Sequence, residues 1–444
     1  MSFTYKTPGV YVEEAFNQTV SIPNVATSIP AFFGKTAQGG SAKPSPVRIS
    51  NFLEFREHFG MPASPTWDIL PSGNSFKVDG NPQNAVPEGE ALLYYAVQWY
   101  FLNGGGPCYI VAVAEDEVAQ YEAGLAAIGN FDEPTLVVPC GAINLASDKY
   151  YAFCKSALAQ SMQLRDRFCI LDVVVESDAA TVSQRVAADV DVFRNNIGVD
   201  NLPYGAAYYP YMQTLLAWEY NEADLMYDGS PLDTLGNKGL HAKITAWLRS
   251  QNVVLPPSAA IAGVYGTVDN DRGVWKAPAN VGLNYAGKPI YAINDSEQDD
   301  MNVPAGMAPV NALRHFSGNG TLIWGAKTLD YKSADWTYVS VRRLFIMVEE
   351  SIAKAVNAFV FEANDKTTWT NVKSSVNSYL YQLWSQGALA GGKAEEAFVV
   401  QVGLGETMTM DDVKEGRMVV EIRLAPVRPA EYIIITFTQN VKGA

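Results

Sequence analysis

The sequence predicts an α/β (α+β) chain, and three observations carry that expectation. Between residues 89 and 175, helix-like segments alternate with short unbroken apolar runs, the pattern of a buried, mostly parallel sheet covered by helices. Beyond residue 335 the longest helical periodicity of the chain appears and then gives way to strand-like segments. Both chain ends, "TPGVYVEE" at residues 7–14 and "EYIIITFTQNV" at residues 431–441, read as strands placed where chains normally fray.

Size and composition set the outer limits. With 444 residues, 48% of them hydrophobic and 18% charged, the chain has ample material for a core, and its length matches about two to three domains. A net charge of −15 without any basic run excludes a nucleic-acid-binding surface. The four cysteines, Cys108, Cys140, Cys154 and Cys169, lack CxxC spacing and sit among apolar residues, so they read as buried free thiols. No basic-then-apolar leader opens the sequence, and no apolar run approaches the ~18–20 residues of a membrane span. Synthesis and folding in the cytoplasm without a signal peptide follow as the expectation.

In chain order, "EGEALLYYAVQWYFLNGGG", "DEVAQYEAGLAAIGN" and "SDKYYAFCKSALAQSMQLR" are helical, and "CYIVAVA", "PTLVVPC" and "FCILDVVVE" are the strands between them. A helix over 180–195 and the strand-like "GAAYYPYM" extend the layer. Residues 36–88 are rich in Pro, Ser, Gly and Asn and predict irregular surface structure with one short helix at "NFLEFREHF". Residues 226–335 read as similarly loop-rich.

After Asp335, the residues Val341, Leu344, Phe345, Val348, Ile352, Ala355, Val356 and Phe359 recur at spacings of three and four. They predict an amphipathic helix from a cap near Asp335 to Asn364, approaching ~40 Å at ~1.5 Å per residue. A second helix over 370–384 ends at "QGALAGG", and "AFVVQVGL", "RMVVEIRLAPV" and the terminal segment follow as strands.

Residue patterns for chemistry are sparse. Gly104–Gly106 closes a helix and leads into a strand, the reverse of a phosphate-binding loop, and predicts a helix C-cap. GxxxxGK[ST], GxSxG and HExxH are absent, and His58, His241 and His315 lack ligand spacing. The acidic stretches "NDSEQDD" and "DNDRG" lack the EF-hand pattern and read as solvated loops. No catalytic residue, metal ligand or cofactor is assigned.

In "YIIITFT", Ile433, Ile435 and Phe437 share one face, while Tyr432, Ile434 and two threonines share the other. Such a strand wants cover on both sides, and a free edge would invite aggregation. Two fates satisfy it: pairing inside its own domain, or donation across a joint to the sheet of a neighbour. "TPG" and "LAPVRPAE" read as flexible joints for donation. Donation from both ends to different copies makes heterologous contacts, which build a helical assembly when they do not close.

"TPGVYVEE", "AIAGVYGTVDNDRGVWKAPAN" at 260–280, "WGAKTLDYKSADWTYVSVRRLFIMVEESI" at 324–352 and "EIRLAPVRPAEYIIITFTQ" at 421–439 together resemble the contractile tail sheath family. The resemblance implies a structural protein without catalysis, stacked as hexameric discs in a helical array around an inner tube and contracting when a baseplate triggers it. The tube is thereby driven through a target membrane. It implies a discontinuous core domain, residues 1–25 and 336–444, with a mixed sheet completed by neighbours' terminal strands. An α/β outer domain, residues 26–335, is inserted between them.

By position, donation falls to Val10, Tyr11 and Val12 at one end and to Ile433, Ile434, Ile435 and Phe437 at the other. The implied partners are the chain itself, an inner tube protein, baseplate and terminal cap proteins, and paralogous sheath proteins. The short chain points to a phage-tail-like particle or extracellular injection system, with a DNA-delivering phage tail as the alternative. An α/β ligand-binding protein or enzyme is the competing class, and a tube or baseplate component is a third. Residues 370–396 are the expected inner surface.

Overall fold

The computed structural model describes residues 20–73, 75–79, 86–302 and 306–431. Packing divides them into two units: residues 25–347 with 428–431, and residues 20–24 with 348–427. The boundary lies within a helix, later than the break expected near residue 335.

The larger unit is built on a nine-stranded sheet. Its order is Val281–Gly282, Gly320–Ile323, Asn311–Phe316, Gly205–Tyr209, Phe168–Asp172, Leu136–Val138, Pro30–Lys35, Cys108–Val113, Val47–Ile49. The strands from Asn311–Phe316 through Cys108–Val113 pair in parallel, with antiparallel strands on the outside. Successive side chains of a strand point to opposite faces, and Pro30–Lys35 displays both. Phe32 meets Tyr100 of the Glu90–Leu102 helix at 4.9 Å, and Phe33 meets Phe153 of the Ser147–Leu164 helix at 5.5 Å. With helices on both sides the central strands are wholly buried, which explains their unbroken apolar runs. All four cysteines are free and buried in this layer.

Two regions expected to be irregular are ordered. Within 36–88, Asp68–Ser72 and Ser75–Asp79 form a hairpin, and the first of them pairs with Met226–Tyr227. Trp67 ties this small sheet together, its ring 5.4 Å from Trp218 and 5.9 Å from Trp247. Within 226–335 the chain forms helices Lys238–Arg249, Ser258–Arg272 and Asp295–Asn302 as well as strands. Ser258–Arg272 is buried on almost every side, so its Ala/Gly-rich sequence shows no polar face and no amphipathic period.

"NDSEQDD" is likewise helical rather than a solvated loop. Asn294 Oδ1 accepts from the Glu297 N–H, Glu297 Oε2 accepts from the Asn294 N–H, and Asp295 pairs with Arg314 at 2.8 Å. Gly104, at φ +85°, follows the Glu90–Leu102 helix as the C-cap expectation required.

The long helix runs Val339–Val356, about 27 Å at 1.5 Å per residue, and is shorter than expected at both ends. Asp335 does not cap it. The residues just before it are held by the segment 326–328: Tyr338 bridges Lys327, Thr328 N–H donates to the Thr337 carbonyl, and Val339 N–H to that of Ala326. At the far end the stripe loses its cover after Ile352. Ala355 and Val356 are only half-buried, and the chain tightens into the 3₁₀ turn Asn357–Phe359.

Helix Ser258–Arg272 approaches helix Glu90–Leu102 closely at Gly263, where a β-carbon would stand 2.6 Å from the Tyr100 carbonyl oxygen and 3.0 Å from Asn103 Cβ. We expect Gly263→Ala to lower the melting temperature measured by circular dichroism. Overpacking costs about 1–3 kcal/mol, which outweighs the ~0.5–1 kcal/mol of helix propensity that alanine gains over glycine.

Candidate assembly interface

Open α/β sheets take ligands at the carboxyl ends of their strands. Here that edge is filled. A β-carbon on Gly141 would lie 2.5 Å from the Phe33 carbonyl oxygen, so backbone packs on backbone. The Tyr121 hydroxyl donates to Asp116 at 2.6 Å. Burial pushes the Asp172 carboxyl up to about 7, partly offset by Ser258, whose hydroxyl and N–H both donate to it. Asp172 thus holds the first turn of helix Ser258–Arg272. Among the described residues no His/Cys/Asp/Glu group is arranged to hold a metal, and no helix is long and apolar enough to cross a membrane.

The polar residues that stand out serve as internal struts. Arg343, in the long helix, donates to Asp269 Oδ1 at 3.0 Å and to the Thr27 carbonyl at 2.8 Å. The Thr27 hydroxyl donates to Asp269 at 2.6 Å, and the guanidinium lies 4.5 Å from the centre of the Tyr265 ring. Arg342, next to it, lies over the rings of Tyr204 and Trp336 at 4.3 and 4.6 Å. Asp269, read from "DNDRG" as solvated, is instead nearly buried. The signal was present in "VRRLF", because two arginines inside an apolar helical stripe must find partners in the core.

In the smaller unit, helix Lys366–Ser385 begins at Asp365, whose carboxylate accepts from the N–H groups of Thr367 and Thr368. It buries Val372, Val376, Leu380 and Leu383. Residues 20–24 lie along it: the Val20 N–H donates to Ser375 Oγ at 2.9 Å and Tyr379 donates to Asn24 Oδ1 at 2.7 Å.

Phe398–Gln401 and Glu421–Leu424 form an antiparallel ribbon, pairing Phe398 with Leu424 and Gln401 with Glu421. Its two faces differ: Val399 is 43% exposed while Val400, on the opposite face, is 5% exposed. No further strand pairs with either outer edge of this ribbon among the described residues. Two strands alone make a marginal sheet, and an open edge exposes donors and acceptors to any strand that can reach them.

The stretch "LAPVRPAE", expected as a flexible joint, spans the boundary between the two units and carries hydrogen bonds within each. Although its prolines cannot donate, Ala425 N–H bonds the Ala397 carbonyl and Val427 N–H that of Ala388. Within the larger unit, Arg428 pairs with Asp335 at 3.2 Å, and Glu431 receives Lys327 at 3.4 Å and the Tyr338 hydroxyl at 3.3 Å. The donation residues assigned by position, Val10, Tyr11, Val12, Ile433, Ile434, Ile435 and Phe437, lie outside the described residues.

Comparison with known proteins decides the family. Over 98% of its length the chain matches all of a subunit of the anti-feeding prophage helical sheath in the contracted state, with 32% identity and a TM-score of 0.69. The chain belongs to the contractile tail sheath family. This sheath protein also matches the sheath complex of an extracellular contractile injection system, PVC, in its contracted state: 30% identity, TM-score 0.68, 99% of each chain. The phage tail sheath C-terminal domain model matches residues 331–440. The tail sheath protein of Salmonella phage ViI is 26% identical over 186 residues, 41% of this chain but only 28% of that relative. The relatives are structural sheath subunits, and their class is the one to which this chain is assigned.

We expect Arg343→Met to destabilise the monomer by about 3–5 kcal/mol in urea titrations, because it leaves Asp269 buried and unpaired. Adding Asp269→Asn should recover part of that loss in a double-mutant cycle.

Proposed function

We propose that this sheath subunit assembles helically, as stacked hexamers around an inner tube, and contracts on a baseplate signal to drive the tube through a target membrane. The observation that carries this reading is the match along the whole chain to a sheath in its contracted state. Two full-length relatives come from the anti-feeding prophage and from an extracellular injection system, which favours an injection particle released from the cell over a DNA-delivering tail. Inner tube, baseplate and cap proteins, and paralogous sheath proteins, are the partners this reading requires.

The ribbon is the proposed point of attachment. Val10–Val12 of one neighbour and Ile433–Phe437 of another add to its outer edges, and residues 1–25 with 336–444 act as the core sheath domain. Each added strand satisfies backbone groups along an edge at about 1 kcal/mol net per hydrogen bond. It also covers apolar side chains such as Val399, exposed in the single subunit.

Chains lacking residues 1–20 or 432–444 should remain folded by circular dichroism and run as monomers on gel filtration, with no tubes in negative stain. Tubes built by either truncated chain would refute strand donation.

A further inference from the structure

A second attachment device stands at the start of helix Lys366–Ser385. Between the 3₁₀ turn Asn357–Phe359 and that helix, Phe361 projects with its side chain fully exposed, at 103% of the reference, beside Val360 at 56%. Its φ of +71° is a conformation that residues bearing a β-carbon seldom adopt. The loop around it is fixed: Glu362 N–H donates to the Phe359 carbonyl, and Asn364 donates to the Arg417 carbonyl and accepts from the Trp369 indole. The backbone therefore holds an aromatic ring in water in a conformation unfavourable for a residue with a β-carbon.

The same unit carries an open groove of about 560 Å³. Tyr381, 53% exposed, lines it together with Phe398 and Ala394, and the polar side chains of Asn377, Ser378, Gln382 and Glu395 complete its lining. Asn377, where the groove begins, lies about 17 Å along the helix from Lys366, at 1.5 Å per residue. Phe361 precedes that first residue, so the ring and the groove sit toward opposite ends of one helix. A knob at one end and a socket at the other fit between identical copies in head-to-tail order, the heterologous contact that propagates a helical array.

We propose that Phe361 is a self-association knob that seats in the Tyr381–Phe398 groove of a neighbouring sheath subunit. The proposal rests on the chain's assembling into a sheath, but not on strand donation by its ends. The full-length chain with intact termini carries the test.

Phe361→Gly should leave the melting temperature of the monomer undiminished, since glycine is at ease at positive φ, while the yield of sedimentable sheath falls by about tenfold or more, the scale of a lost aromatic anchor. Tyr381→Arg, at the groove, should reproduce that loss. In assembled sheaths, p-benzoylphenylalanine at position 361 should photo-crosslink to residues 377–398 of another sheath subunit. A lowered monomer melting temperature, undiminished assembly of Phe361→Gly, or a crosslink to the inner tube would each overturn the proposal. Wild-type chain that never assembled would instead refute the sheath reading itself.

Discussion

A hydrogen-bonded β-edge is a demand that only water or another strand can meet. The ribbon of Phe398–Gln401 and Glu421–Leu424 has two such edges, with a helix packed under one face and Val399 open on the other. Its stability in isolation is marginal, and the described residues nearest each chain end are bonded within their own units. Residues 20–24 are bonded to the Lys366–Ser385 helix, and Glu431 is held by Lys327 and Tyr338. A terminal strand leaving a fixed point explores less space before it finds an edge, so less conformational entropy opposes its pairing.

Among the described residues the larger unit has a nine-stranded sheet covered on both faces, its carboxyl edge closely packed at Gly34 and Gly141. The Arg343–Asp269–Thr27 bridge crosses long sequence separations and holds the first turns of the long helix, which belong to this unit, against its core. Buried charge of this kind adds little net stability over an apolar core, but it penalises every arrangement in which the partners separate.

Much of this was legible in the residues. The parallel layer over 89–175 announced itself through unbroken apolar runs, because a strand covered on both faces has no reason to alternate. Helix Ser258–Arg272 was hidden by the same burial: buried all round until its last turn, its Ala and Gly carry no period. The pairing of Asp68–Ile69 with Met226–Tyr227 joins segments too remote for any local pattern to reveal. Asp335 looked like a helix cap but bonds Arg428, since Thr337 and Val339 are tied to Thr328 and Ala326 and the helix starts only at Val339. In the smaller unit, the strand character of the ribbon was visible, whereas Phe361 was absorbed into the reading of a longer helix, one whose cover in fact stops after Ile352.

The most direct measurement is amide hydrogen exchange over residues 398–401 and 421–424, compared between the monomer and the assembled sheath. Completion of the ribbon by neighbouring chains predicts that the outward-facing amides, which exchange readily in the monomer, slow by about a hundredfold in the sheath. Equal exchange in the two states would contradict it, because edges left in water by assembly are not where the subunits join.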